Sequence, residues 1–271
     1  MRQGRSEGPA ENRPDRKVHD DMIDLRRKFI WIALTVIVAA AVILWQPWEQ
    51  RLKVIQKGGK GPPTFVLLHG YGSTADHWIP FTQSIPFSPQ GRYLLPEAPL
   101  ATPRIDGGMD GRAWWEMDFG THLRANNKGI DFVHEHPEGL DLAAAQVRAL
   151  LSSKGNSRSQ PFILGGFSQG AMVACDIAFA SDEPLAALVI LSGNPINEDI
   201  WRSGFDRRRG MPVFMSHGRN DDILPFDLAE RLHTELQAAG LKVTFVPFNG
   251  GHEIPEEVVV ALGQFLAQIK P

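Results

Sequence analysis

A serine flanked by glycines, directly after an apolar run, is the feature that most constrains how this chain can fold. The pentapeptide is Gly166-Phe167-Ser168-Gln169-Gly170, and the run before it is Phe162-Ile163-Leu164. This pattern is typical of a sharp strand-to-helix turn that presents a hydroxyl at the carboxyl edge of a sheet. Glycines two positions either side of the serine let strand and helix approach closely, because they carry no Cβ. The alternative is an ordinary glycine loop.

An oxyanion hole is predicted from an earlier segment. Residues 65–68 form an apolar run that ends in the glycine-flanked turn His69-Gly70-Tyr71-Gly72. The backbone N–H groups of Tyr71 and Gln169 would then converge on the oxygen that becomes negative in a tetrahedral intermediate. In this interpretation the side chain of Gln169 matters less than its amide. The alternative is a simple tight turn.

An acid and a base follow Ser168 along the chain, in the order that this type of turn uses. Asp221 and Asp222 come just after the apolar run 213–216, and either carboxylate could orient an imidazole. His252 lies on a glycine-rich loop before the last predicted helix, where a general base is expected. The residues alone do not choose between the two aspartates.

Short apolar runs alternate with longer helical patterns, which predicts a mostly parallel central sheet flanked by helices. The predicted strands are Thr64–Leu68, Arg92–Leu95, Phe162–Leu164, Ala187–Leu191, Val213–Ser216 and Val243–Pro247. The predicted helices are Leu140–Leu151, Ala171–Ala180, Pro225–Ala239 and Glu256–Ile269. Each candidate catalytic residue then follows a strand, where open α/β sheets place their ligand crevices.

These segments together resemble the carboxylesterase, phospholipase and acyl-protein thioesterase family of α/β-hydrolases, over about residues 62–270. The elbow matches the family's Gly-Phe-Ser-Gln-Gly. The family's acid follows a His-Gly pair in the pattern His-Gly-x-x-Asp, with a proline four residues later. Applied to His217, Gly218 and Pro225, the resemblance selects Asp221 over Asp222.

The resemblance also covers Gly107-Gly108-Met109 and the stretch 112–116, which look like the family's glycine-methionine loop and Trp-Tyr-Asp segment. Trp115 and Glu116 depart from the family's Tyr and Asp, which affects the expected shape of the acyl pocket. The resemblance implies a modest, apolar acyl group. Three tryptophans are candidates for lining its pocket, although core packing is an equally common role for this residue: Trp78, Trp114 and Trp115. Residues 126–139 match nothing in the family.

The expected function is hydrolysis of a small-molecule acyl ester or thioester through an acyl-enzyme on Ser168, with His252 as base and Asp221 as acid. The alternatives are acyl transfer or (lyso)phospholipase activity on the same triad, and a catalytically silent module that binds a ligand. We expect no cofactor. We also expect no metal site, because His134-Glu135-His136 lacks a third ligand at a recognised spacing.

Charge and cysteine content limit the other options. The formal net charge is −3, which implies no nucleic-acid partner, and the run Arg207-Arg208-Arg209 is interpreted as a solvated loop. Cys175 is the single cysteine of the 271 residues, so no disulfide forms within the chain.

The amino-terminal part predicts a membrane anchor. Residues 29–45 are apolar except for Thr35 and follow the basic trio Arg26-Arg27-Lys28. We expect a disordered cytoplasmic tail at 1–28, a single-pass transmembrane signal anchor at 29–48, a linker at 49–61 and an extracytoplasmic hydrolase domain at 62–271. A cleaved signal peptide is the rival interpretation, although bulky residues follow the apolar run.

Overall fold

The computed structural model of the protein describes residues 31, 51–104, 107–108, 110–117 and 129–269. The chain divides into two units, Met1–Pro47 and Trp48–Pro271. Apart from Trp31, the first unit lies outside the described residues, and so does the predicted cytoplasmic tail. The fold below is that of the second unit.

Seven strands of the second unit form one sheet, with the order β1-β3-β2-β6-β7-β8-β9. Only the pairing of β1 with β3 is antiparallel, and the other pairings within this sheet are parallel. Strands β4 and β5 form a separate antiparallel pair. The strands are β1 Val54–Gly58, β2 Gly61–Leu68, β3 Gly91–Pro96, β4 Leu100–Thr102, β5 Gly111–Ala113, β6 Phe162–Phe167, β7 Leu185–Leu191, β8 Pro212–Gly218 and β9 Lys242–Phe248.

Four of the helices connect consecutive parallel strands of the sheet, one precedes β6 and the last follows β9. In the second helix, α2, the buried positions include Leu140, Ala143, Val147 and Leu151, which recur at the spacing of one helical face. The helices are α1 Ile79–Ser84, α2 Leu140–Ser153, α3 Gln169–Ala180, α4 Glu198–Phe205, α5 Phe226–Ala238 and α6 Glu256–Leu266.

Each face of the sheet packs on its own apolar cluster, as the alternation of side chains in β2 illustrates. Phe65 and Leu67 belong to the cluster that contains residues of α6, whereas Val66 and Leu68 belong to the cluster that contains α2 and α3. All four side chains are at most 1% exposed. Burying each of them contributes about 1.5–3 kcal/mol, so the two-sided burial holds the sheet rigidly under the loops at its edge.

The predicted α/β architecture is confirmed, and all six predicted strands and four predicted helices are present with small shifts at their ends. Five of these strands and helices were not predicted: the antiparallel strand β1, the paired strands β4 and β5, and the helices α1 and α4. Strand β1 lies within the stretch 49–61 that we had interpreted as a linker. It was missed because only two of its five residues, VIQKG, are apolar, and because its pairing partner β3 lies more than thirty residues further along the chain.

The predicted transmembrane helix is corrected. In the part of the chain that the structure describes, no helix has both the length and the apolar character needed to cross a bilayer. Apart from Trp31, the stretch 29–48 lies outside that part. The apolar run 29–45 has seventeen residues, which is at the lower limit of the ~17–25 residues that a transmembrane helix needs. Its length alone was therefore weak evidence for a membrane anchor. The single-pass, extracytoplasmic location inferred from it is withdrawn.

Candidate active site

The turn between β6 and α3 holds Ser168 in an unusual backbone conformation. Ser168 has φ 54° and ψ −120°, and residues that carry a Cβ seldom adopt such a positive φ. Its N–H donates to the carbonyl of Leu191 at 2.9 Å. A Cβ at Gly166 would overlap the backbone of Gly170, and one at Gly170 would overlap the carbonyls of Leu68 and His69. The elbow therefore requires both glycines, and Ser168 has a strained backbone of the kind that clusters at functional sites.

A second serine, Ser192, also has a positive φ and also follows a strand. Its φ is 46°, directly after β7. Its side chain is fully buried and its hydroxyl lies 3.4 Å from the carbonyl of Glu253. Ser168 is partly exposed. Of the two serines, Ser168 is therefore the more exposed residue.

The loops after β8 and β9 bring an acid and a histidine together. Nδ1 of His252 lies 2.7 Å from Oδ2 of Asp221. The Asp221 side chain is completely buried, whereas that of His252 is 10% exposed. Asp222 is exposed. The structure therefore distinguishes two aspartates that the residues alone had left equivalent.

The surroundings of Asp221 favour its ionised form. Burial by itself would raise the pKa of this carboxyl, but hydrogen bonds from His217 and His252 and the backbone N–H of Leu224 outweigh burial and hold the pKa well below its usual range. The N–H groups of Ile223 and Leu224 donate to Oδ1 at 3.0 and 2.8 Å. The carboxylate is thus available as an acceptor that keeps the proton of His252 on Nδ1.

The His252 ring lies against the elbow. Its centroid is 4.7 Å from that of Phe167, the residue before Ser168. Among the described residues, Ser168 Oγ forms no direct hydrogen bond with His252. In free enzymes such bonds are often long and tighten only with substrate.

The loop after β2 packs directly on the elbow. A Cβ at Gly70 would be 3.4 Å from that of Ser168 and 3.1 Å from the Phe167 ring. The next residue, Tyr71, carries the amide predicted as an oxyanion donor, and its hydroxyl accepts from Thr102 Oγ1 at 2.9 Å. Gly72 N–H donates to Arg112 O at 2.8 Å, which fastens the loop to β5.

The Gln169 side chain has a structural role that the sequence did not reveal. It is fully buried, and its Oε1 accepts from the N–H of Trp114 at 2.9 Å while its Nε2 donates to the carbonyl of Trp115 at 2.8 Å. The sequence analysis assigned a role only to the backbone N–H of Gln169, so it missed this role of the side chain. The contact joins residues 55 positions apart, so no local pattern could have indicated it.

His69 holds the loop after β2 in place through hydrogen bonds. Its Nδ1 donates to Gly70 O at 2.8 Å, and its Nε2 accepts from Ala98 N–H at 3.1 Å. Trp114 Nε1 donates to His69 O at 2.8 Å. Burial lowers the pKa of His69 to about 4, which keeps the ring neutral at physiological pH.

The three tryptophans proposed to line a pocket lie in different places. Trp78 packs on Phe81 and Phe167 at centroid distances of 4.9 and 6.1 Å, in the apolar cluster that contains residues of α6. Trp114 is 1% exposed and belongs to the core. Trp115 is equally buried, but it borders a cavity of about 630 Å³ with Leu100, Glu116, Met117, Phe132 and the stretch 135–139.

Residues 129–139, the described part of the stretch that the resemblance left unassigned, are held to the acid loop and to α4 by backbone hydrogen bonds. Ile130 N–H donates to Ile223 O at 2.8 Å, and Glu198 N–H donates to Val133 O at 3.1 Å. His136 Nε2 lies 3.2 Å from Asp141 Oδ2. Over the described residues, no group of three or more His, Cys, Asp or Glu side chains is arranged to hold a metal ion.

Comparisons with known proteins agree with this fold and these motifs. The phospholipase/carboxylesterase family matches residues 49–270. Acyl-protein thioesterase 1 of Debaryomyces hansenii is 27% identical over 217 residues, covering 75% of this chain and 90% of the relative. The enzyme of the same name from Cryptococcus neoformans is 27% identical over 172 residues, covering 62% of this chain and 70% of the relative.

Solved structures give the same result. Zea mays acyl-protein thioesterase 2 superposes with a TM-score of 0.62 at 25% identity, covering 79% of this chain and 97% of that one. The fold is also that of esterase PE8, with a TM-score of 0.65 at 24% identity, covering 81% of this chain and all of the other. The chain belongs to the phospholipase/carboxylesterase family of α/β-hydrolases, and it is a hydrolase of the carboxylic ester or thioester type.

Proposed function

We propose that the protein cleaves carboxylic esters or thioesters of small to medium acyl groups through a Ser168-His252-Asp221 triad and a covalent acyl-enzyme. The observation that carries the proposal is the 2.7 Å contact between His252 Nδ1 and the ionised Asp221, beside the strained elbow that presents Ser168. We assign this activity to residues 62–271.

Each side chain has a defined task in the first half of the reaction. Ser168 Oγ forms a bond to the acyl carbon while its proton passes to Nε2 of His252, and Asp221 stabilises the imidazolium that results. The amides of Tyr71 and Gln169 donate to the oxygen that becomes negative. The intermediate collapses when the bond to the leaving alcohol or thiol breaks and that group takes the proton from His252.

Water completes the cycle. His252 accepts a proton from the water as its oxygen attacks the acyl carbon, and Ser168 leaves with the proton that His252 returns. A second alcohol in place of water would give acyl transfer with the same residues. No cofactor is needed for any of these steps.

The position of Trp115 supports the cavity beside it as the acyl pocket. Its backbone carbonyl accepts a hydrogen bond from the side chain of Gln169, the neighbour of Ser168, and the residue itself borders the cavity. Leu100, Met117 and Phe132 supply apolar lining, which suits an acyl chain. We assign Trp78 and Trp114 to the support of this region.

The names of the relatives favour thioesters among the two substrate types. Acyl-protein thioesterases from several fungi match the chain, and one from maize shares its fold. We propose thioesters of this kind as substrates, and oxygen esters with good leaving groups as convenient probes.

The test is turnover of matched p-nitrophenyl esters and acyl thioesters of increasing chain length. Ser168→Ala is expected to lower kcat by about a thousandfold or more, because the acyl-enzyme cannot form. Ser203→Ala is the matched control, since this serine is exposed on α4 and its hydroxyl donates to Ile200 O. Equal rates for wild type and Ser168→Ala would support the silent binding module instead.

A further inference from the structure

A second histidine contacts the carboxylate of Asp221. His217 lies near the end of β8, and its side chain is fully buried. Its Nε2 is 2.7 Å from the carbonyl oxygen of Leu224 and 3.2 Å from Asp221 Oδ2. The ring also packs edge-on against Phe226. His217 thus touches the acid loop at two points.

The tautomer of His217 follows from these contacts. The carbonyl of Leu224 can only accept, so Nε2 carries the hydrogen and donates it to Leu224 O, with Asp221 Oδ2 3.2 Å from the same nitrogen. Its Nδ1 is buried and makes no hydrogen bond with any described residue. A hydrogen on Nδ1 would leave an unpaired buried donor, which is costly. The geometry therefore indicates the tautomer that carries its hydrogen on Nε2.

Four N–H groups approach the Asp221 carboxylate, two at each oxygen. The amides of Ile223 and Leu224 donate to Oδ1, His252 Nδ1 lies 2.7 Å from Oδ2, and His217 Nε2 lies 3.2 Å from the same oxygen. The two imidazoles consequently share the negative charge of one oxygen. The partial positive charge at Nε2 of His217 therefore weakens the attraction between Oδ2 and the ring of His252.

We propose that His217 is a positioning residue for the triad: it fixes the Asp221 carboxylate and limits how strongly that carboxylate holds the protonated form of His252. This inference rests on the proposed function. Its consequence is directional. Without the donor at 217, the imidazolium of His252 is held more tightly, so the acidic limb of the rate profile moves to higher pH.

Two variants distinguish this role from one in which the His217 ring only fills space in the core. His217→Phe keeps a planar ring but removes the donor, whereas His217→Gln places an amide N–H at about the reach of Nε2. The measurement is kcat/KM against pH, which reports the ionisation of groups in the free enzyme. The nearby ionisable residues Asp222 and Glu253, on the same two loops, are unchanged in both variants.

In His217→Phe we expect the midpoint of the acidic limb to rise by about half a pH unit, and the plateau to fall about tenfold as the carboxylate loses a support. In His217→Gln the midpoint is expected to return to that of the wild type. An unmoved midpoint in His217→Phe, at any plateau, overturns the proposal. So does an equal shift in both variants.

A measurement on the wild-type protein covers the case in which His217→Phe does not fold. Long-range ¹H–¹⁵N spectra at pH 8, assigned by the signal missing in His217→Gln, are expected to show His217 protonated at Nε2 and not at Nδ1. Protonation at Nδ1 alone would contradict the proposal. Turnover that is unaffected by Ser168→Ala would instead remove the proposed function, so the two failures are distinguishable.

Discussion

At the scale of the residue, position in the sequence predicted the proposed triad, but it did not predict the side chains that support it. Ser168, Asp221 and His252 each follow a strand at the same edge of a parallel sheet, which is why their spacing in the sequence could indicate a shared site. The side chain of His217 contacts Asp221, and the side chain of Gln169 holds Trp114 beside the elbow of Ser168. These contacts arise from three-dimensional packing, and no periodicity in the sequence reports them.

The buried amide of Gln169 provides a test at this scale. Gln169→Met keeps the approximate volume but leaves Trp114 N–H and Trp115 O without their partner. Each unsatisfied buried group costs about 1–3 kcal/mol, so we expect the free energy of unfolding to fall by about 2–4 kcal/mol. Urea unfolding measures this difference.

The matched control is Gln237→Met, because Gln237 is exposed on α5. It is expected to change the free energy of unfolding by less than about 0.5 kcal/mol. Similar values for the two variants would show that the Gln169 bridge adds no stability.

At the scale of the element, helix α3 is the part of the fold that most directly holds the elbow. Eleven of its twelve residues are buried, from Gln169 to Phe179. Its carboxyl end is stabilised by the basic run that the sequence suggested was a solvated loop. Arg207 Nη2 donates to Phe179 O at 2.6 Å, and Arg208 donates to Ala178 O and Ser181 O at 2.6 and 2.8 Å. These cations satisfy carbonyls that have no partner within the helix.

Arg208 therefore has a predicted contribution to stability. Burial, reinforced by neighbouring Arg207, lowers the pKa of Arg208, but the guanidinium remains charged and bonded to two carbonyls. Arg208→Met removes both bonds, and we expect a loss of about 1.5–3 kcal/mol in the free energy of unfolding.

Arg209→Met is the comparison within the same run, because the Arg209 side chain is 63% exposed and pairs with the exposed Asp206. A change of at most about 1 kcal/mol is expected there. If thermal and urea unfolding gave Arg208→Met the smaller effect, the capping role would be wrong.

The strands and main helices were predictable because their burial patterns are local. In β2, neighbouring residues alternate between two cores, and in α2 the apolar residues recur along one face. Strand β1 and helix α4 were missed for different reasons. The first is polar enough to resemble a linker, and the second is a short element with only three large apolar side chains, Ile200, Trp201 and Phe205.

At the scale of the whole molecule, the buried neutral His69 links folding stability to pH. Its pKa is about 4 in the folded protein, because burial disfavours the charged ring, and about 6.5 in the unfolded chain. The unfolded chain therefore binds the extra proton first, and stability is lost as pH falls from 6.5 towards 4. This one residue is expected to account for about 2–3 kcal/mol of the loss between pH 7.5 and 4.5.

The measurement is urea unfolding of wild type and His69→Gln at both pH values. The variant is less stable at pH 7.5, but its stability should fall less on acidification, by about the amount assigned to His69. All other titrating groups are common to the two proteins. An equal fall in both would show that His69 does not carry this dependence.

The central claim is that Ser168, His252 and Asp221 act as one unit, and the site of reaction with a fluorophosphonate tests it most directly, because this reagent captures only activated serine hydroxyls. Peptide mass spectrometry is expected to find one adduct, on Ser168, formed at least about a hundredfold more slowly in His252→Ala, since the base contributes that much to attack. An adduct on another residue, or labelling at an undiminished rate in His252→Ala, would contradict the account.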